Sequence, residues 1–136
     1  MALTKSKLLV CFLLVGAPTL AQAKCLGSVS ELKAQGVKAR WHETTANDGK
    51  PLTISIADGA HGLVYSAKKA GQLWLSGNVS VCLSGGAPKI TLSHTKATNK
   101  VPMIARMAMP SSQSAQIVNN QIRLRGGGWG GTFVGQ

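Results

Sequence analysis

From residue 37 onward, apolar side chains recur at every second position. Val37, Ala39 and Trp41 share one phase, and Lys38, Arg40 and His42 share the other. That is the alternation of a strand with one buried face. Leu52, Ile54 and Ile56 repeat it, as do Leu63 and Tyr65. A longer run sets Leu73, Leu75, Val79, Val81 and Leu83 on one face, with Gly77 as a bulge or close-approach point. Ile90 and Leu92 follow with His94 in phase, so His94 reads as a packed histidine. Val101, Met103, Ala105 and Met107 read as one face of a further strand. Met103, Met107 and Met109, at even spacing, are expected to fill core or line an apolar pocket, the usual use of methionine.

Turn residues punctuate these runs. Asn47-Asp48-Gly49, Asp58-Gly59, the Lys68-Lys69-Ala70-Gly71 stretch and the loop Ser84-Gly85-Gly86-Ala87-Pro88 separate successive strands. Asn119-Asn120 turns a last hairpin between Ile117-Val118 and Ile122-Arg123-Leu124-Arg125. The glycine-rich end carries Trp129, Phe133 and Val134, enough apolar surface for an ordered final strand. Before the strands, Ser28 and Glu31 have the spacing of a capping box, and Gly36 is placed to end a short helix. The expectation is an all-β chain. About eight short strands form an antiparallel meander, closing into a small barrel or sandwich after one short N-terminal helix.

Residues 1–23 differ from the rest. Lys5 and Lys7 precede an apolar run from Leu8 to Leu20, and Ala21-Gln22-Ala23 has the small-x-small pattern of a cleavage site. These are the three parts of a secretory signal peptide. The run falls short of the roughly 20 residues a bilayer span requires. The expected organisation is a leader over 1–23 and a single β domain over 24–136, periplasmic or secreted, with no transmembrane anchor in the mature chain.

Cleavage changes the charge and the cysteine count. Losing Lys5 and Lys7 lowers the cations from 15 to 13 and leaves the four acids, Glu31, Glu43, Asp48 and Asp58, for a net charge of +9. Cys11 leaves with the leader, so the mature chain keeps Cys25 and Cys82. An export signal with an even cysteine count predicts a disulfide between them. Cys82 is out of phase with Val79 and Val81. The bridge is therefore expected to strap the N-terminal segment across the outside of the sheet.

Candidate chemistry is sparse. His42, His61 and His94 have no metal-ligand spacing, and the expectation is no metal and no cofactor. No nucleophile elbow, paired carboxylate or phosphate-cradling motif is present, so no catalytic residue is assigned. Asn78-Val79-Ser80 fits the glycosylation sequon, a tripeptide common by chance. The order of leader, early cysteine and meandering strands resembles small periplasmic barrels in architecture, with no family motif to place residue by residue.

The cations carry the most information. Lys38, Arg40, Arg123 and Arg125 occupy the polar phase of their strands, and pairing of the first and last strands would join them beside His42. Such a patch attracts phosphate or anionic glycan. Aromatic residues are few, so nucleic acid is not the expected partner. The expected function is that of an exported, non-enzymatic binding protein for an anionic or amphipathic envelope ligand, such as a lipid, lipopolysaccharide or glycan. The alternative is a protein-interaction module, such as an envelope assembly factor or enzyme inhibitor. A hydrolase with a dispersed site ranks third.

Overall fold

The computed structural model describes residues 24–46, 49–125 and 130–136. The leader, the Asn47-Asp48 turn and Trp129 with its preceding glycines lie outside the described residues. The described residues form nine strands: β1 (Lys24–Leu26), β2 (Arg40–Glu43), β3 (Leu52–Gly59), β4 (Gly62–Lys69), β5 (Gln72–Leu83), β6 (Lys89–Ala97), β7 (Gln113–Gln116), β8 (Gln121–Arg125) and β9 (Gly130–Gly135). Two short helices join them, α1 (Val29–Ala34) and α2 (Met103–Ala108).

Strands β2 to β9 form an antiparallel meander. Sheet order runs β7-β6-β5-β4-β3-β2-β9-β8, so β9 pairs with β2 and brings the last strand back to the first. The seam lies between β7 and β8, which are consecutive and joined through the Val118–Gln121 bridge. The result is a nearly closed, barrel-like sheet. Asn119 and Asn120 both have positive φ (53° and 59°), the geometry of the tight primed turn that suits strand twist. Ala70 and Gly71 make the same kind of turn between β4 and β5.

The interior is filled by the alternating phase read from the sequence. Trp41, Ile54, Leu75, Val81, Ile90, Leu92, Ile122, Leu124 and Phe133 are all buried. Gln113 is the exception. Its amide is buried beside the apolar positions, and neither polar atom has a hydrogen-bond partner among the described residues. That is a cost of about 1–3 kcal/mol unless another group satisfies it.

Helix α1 closes one end. Ser28 Oγ accepts from Glu31 N, and the Glu31 carboxylate accepts from Gly27 N at 2.8 Å. At its C-terminus Val37 N donates to Leu32 O and Gly36 N donates to Lys33 O, with Gly36 at φ 75°. This is the Schellman pattern, and its apolar pair Leu32 and Val37 is buried. Val29 N donates to Asp58 Oδ1, docking the helix at the β3–β4 end of the barrel.

Strand β1 pairs with the part of β5 that β4 does not reach, placing Cys25 directly opposite Cys82. The disulfide is formed, with Cα atoms 3.9 Å apart. Cys25 is exposed and Cys82 partly so, while Leu26 and Val81 turn inward. The bridge therefore straps the outside of the sheet.

Two expectations fail at bulges. The β4–β5 register shifts between Ala67 and Lys68, leaving Trp74 as the extra residue. Leu73 is thereby set opposite Lys68, on the outward phase, and is 39 % exposed. The β5–β6 register shifts at Gly77, where His94 adopts φ 51°. His94 is exposed, not packed, and the phase of β6 reverses beyond it. Gly77 is the close-approach point: a Cβ there would stand 2.6 Å from Ser93 O. A third expectation fails after β6. Residues 103–108 are helix α2, not a strand, bracketed by Pro102 and Pro110, and the described residues hold two short helices where the sequence predicts one.

Candidate functional site

The barrel end opposite α1 is built from the start of β3, the β4–β5 hairpin and the segment carrying α2. It holds a depression of about 430 Å³ lined by Leu52, Trp74, Leu75, Val101, Ala105 and Met109, with Glu43, Lys69, Pro102 and Gly130 completing the wall. Most of that wall is apolar. Its volume falls within the range of roughly 300–1,000 Å³ typical of small-molecule sites.

Each lining residue has a local reason to be there. Leu52 and Leu75 are the last inward-facing positions of their strands at this end. Trp74 reaches the mouth because the bulge frees it from the strand alternation. Thr98 Oγ1 donates to Leu73 O at 2.8 Å, and Thr98 N donates to Trp74 O. These bonds hold the segment leading to α2 against the hairpin. Val101 is buried, and Ala105 and Met109 turn the inner side of α2 toward the barrel.

Two charged groups stand at the mouth. Lys69 is in phase with Tyr65 and Ala67, and its ammonium lies 5.0 Å from the centre of the Trp74 ring. An ammonium over an indole face is attracted by the ring quadrupole. Glu43 is in phase with Trp41, and its Oε1 accepts from Leu52 N at 2.9 Å. The arrangement is an apolar hollow with an ammonium and a carboxylate at its edge. Chemically it can bury a hydrocarbon group and hold a polar head at the rim.

The basic residues read from the sequence are distributed differently. Lys38, Arg40, Arg123 and Arg125 are exposed and His42 is half-buried on the outer face. Strand β9 lies between β2 and β8. His42 is level with Val134 and Gln121, whereas Arg123 is level with Thr132 and Thr44. Four residues of strand and two strand spacings therefore separate Arg40 from Arg123, about 16 Å in an ideal sheet. The five residues share a face and lie along a diagonal across it.

On its other side Arg40 begins a different row. The registers align Arg40, Ser55, Ser66, Ser76 and Lys96 across five strands. Three hydroxyls flanked by two cations form a polar band on the outer face. Sequence reading missed this row, because alignment across strands depends on register.

The histidines are dispersed, with His42 on β2, His61 in the β3–β4 turn and His94 at the bulge. No group of three or more His, Cys, Asp or Glu among the described residues could hold a metal ion. Met109 lines the mouth, while Met103 and Met107 stand in solvent. No described helix is long and apolar enough to cross a membrane.

No protein-family model, curated protein or solved structure matches this chain.

Glu43, Lys69 and Trp74 are mouth residues that the sequence pattern does not single out. Glu43 and Lys69 sit at strand ends and Trp74 in a bulge, 5 to 31 residues apart, and only the barrel register brings them together.

Proposed function

We propose that this is an exported, non-enzymatic binding protein that takes an amphipathic molecule into the open end of the barrel. The apolar part of the ligand enters the hollow between Trp74, Leu75, Val101 and Met109. An anionic head stays at the rim near Lys69. The apolar wall beneath α2, with an ammonium at its edge, carries this reading. The net charge of +9 outside the leader draws an anionic ligand toward the surface. The disulfide fits an oxidising compartment.

Titration with lauroyl lysophosphatidylglycerol below its critical micelle concentration tests the reading. The expected result is saturable one-site binding, weakened about tenfold or more by Trp74→Ala. Retention of full affinity by that variant would remove the mouth as the site.

A second reading rests on the Arg40-to-Lys96 row. Its hydroxyls and cations suit an anionic glycan lying across the strands. Arg40→Ala with Lys96→Ala separates the two. The mouth reading requires this pair to leave lysolipid affinity unchanged.

A further inference from the structure

The mouth accounts for the inner side of α2 and leaves its outer side unexplained. Met103, Ile104 and Met107 are 65, 82 and 80 % exposed. Met103 and Met107 are four residues apart and Ile104 lies beside them, so the three form one ridge along a helix face. Single exposed apolar residues are ordinary, but an adjacent cluster of large ones marks a contact surface. Leu73 is also exposed, and Trp74 is half-buried at the neighbouring rim. An indole half in and half out of an apolar phase is the side chain found where membrane meets water.

Charge identifies what covers the ridge. All four acids lie between residues 31 and 58, and residues 59–136 hold eight cations and no acid. Lys100 precedes α2 by three residues, and Arg106 sits within it, next to Met107. An apolar ridge flanked by cations is complementary to an anionic bilayer: the ridge enters the interfacial layer and the cations meet lipid phosphates.

We propose that α2 is a membrane-docking element, in which Met103, Ile104 and Met107 insert into the interface of an anionic bilayer and Lys100 and Arg106 bind its headgroups. Docking sets the open end of the barrel against the lipid surface. The inference rests on the mouth reading only for what passes between bilayer and barrel. The contact itself is a separate property.

Flotation of the disulfide-bonded protein with vesicles tests it. The vesicles are phosphatidylcholine alone or mixed with phosphatidylglycerol. The expected result is partition onto the mixed vesicles at low salt, decreasing as salt rises. Ile104→Ser with Met107→Ser weakens that partition at least about tenfold while leaving lysolipid affinity unchanged. Lys100→Glu with Arg106→Glu abolishes the preference for anionic lipid. All four positions belong to a short surface segment, and circular dichroism with a thermal melt checks that each variant folds. No flotation with anionic vesicles at low salt overturns the proposal, even where lysolipid binds. So does equal flotation of the Ile104/Met107 variant, which would show adsorption by charge alone. A ridge buried against a second copy, seen as a dimer that the variant dissolves with no vesicle partition, also overturns it. Partition without lysolipid binding supports docking and removes the mouth reading instead.

Discussion

The ammonium of Lys69 lies 5.0 Å from the centre of the Trp74 ring, at the edge of the barrel's apolar hollow. Lys69 ends β4, and Trp74 is the residue that the β4–β5 register leaves unmatched. The bulge thus places the largest apolar surface of the mouth and a cation next to each other. Lys69→Met keeps the stem and removes the charge. It is expected to weaken lysophosphatidylglycerol about three- to tenfold and to leave a neutral monoacylglycerol unaffected. Parallel titrations with the two ligands check it. Equal losses for both would assign Lys69 a structural role.

The disulfide joins strands that already pair, so its contribution is to stability and not to the shape of the site. It closes a sequence separation of 57 residues, worth about 4 kcal/mol in the chain-entropy model. Cys25→Ser with Cys82→Ser is expected to lower unfolding stability by about 2–4 kcal/mol, measured by urea denaturation. Lysolipid affinity of the folded fraction should not change. A stability loss below about 0.5 kcal/mol would show that β1 is held by its backbone pairing alone.

Gly77 has ordinary backbone torsion but no room for a methyl group. A Cβ would meet Ser93 O at 2.6 Å and Tyr65 Cε1 at 2.8 Å. Gly77→Ala therefore has to move backbone at the β5–β6 bulge. The expected cost is about 2 kcal/mol or more, read from the denaturation midpoint. A neutral result would mean that the bulge can relax.

Tyr65 gives the structure a dependence on alkaline pH. Burial raises its phenol above the usual value, and the 2.7 Å hydrogen bond with Thr95 opposes this in part. Once the pH passes about 10, the unfolded chain loses a proton that the folded chain retains. Stability is therefore unaffected below that value and falls as pH rises through the window above it. Tyr65 is the only tyrosine, so its absorbance titration reports this group alone. Urea midpoints across the window should fall more steeply for the wild type than for Tyr65→Phe. Identical slopes would contradict the assignment.

Much of the barrel was legible in the sequence because its signals are local. Alternation at Val37-Ala39-Trp41 and Leu52-Ile54-Ile56 needs only a period of two. The Ser28 cap, the Gly36 terminus and the Asn119-Asn120 turn need only a few adjacent residues. Leu73 and His94 depart from the sequence pattern because bulges at Trp74 and Gly77 change the phase without changing composition. Met103, Ala105 and Met107 alternate as a strand would, although they lie in helix α2. The competing four-residue spacing of Met103 and Met107, bracketed by two prolines, was the signal available. The mouth is not legible in the sequence, because Glu43, Lys69 and Trp74 meet only through strand register.

Methyl chemical-shift mapping during lysophosphatidylglycerol titration tests the central claim most directly. Leu52, Leu75, Val101 and Met109 line the hollow, whereas Leu26 and Leu32 belong to the α1 end. The account predicts saturable shifts confined to the first group, with none at Leu26 or Leu32. Shifts confined to amides around Lys38, Arg40 and Arg123, with the mouth methyls unmoved, would contradict it.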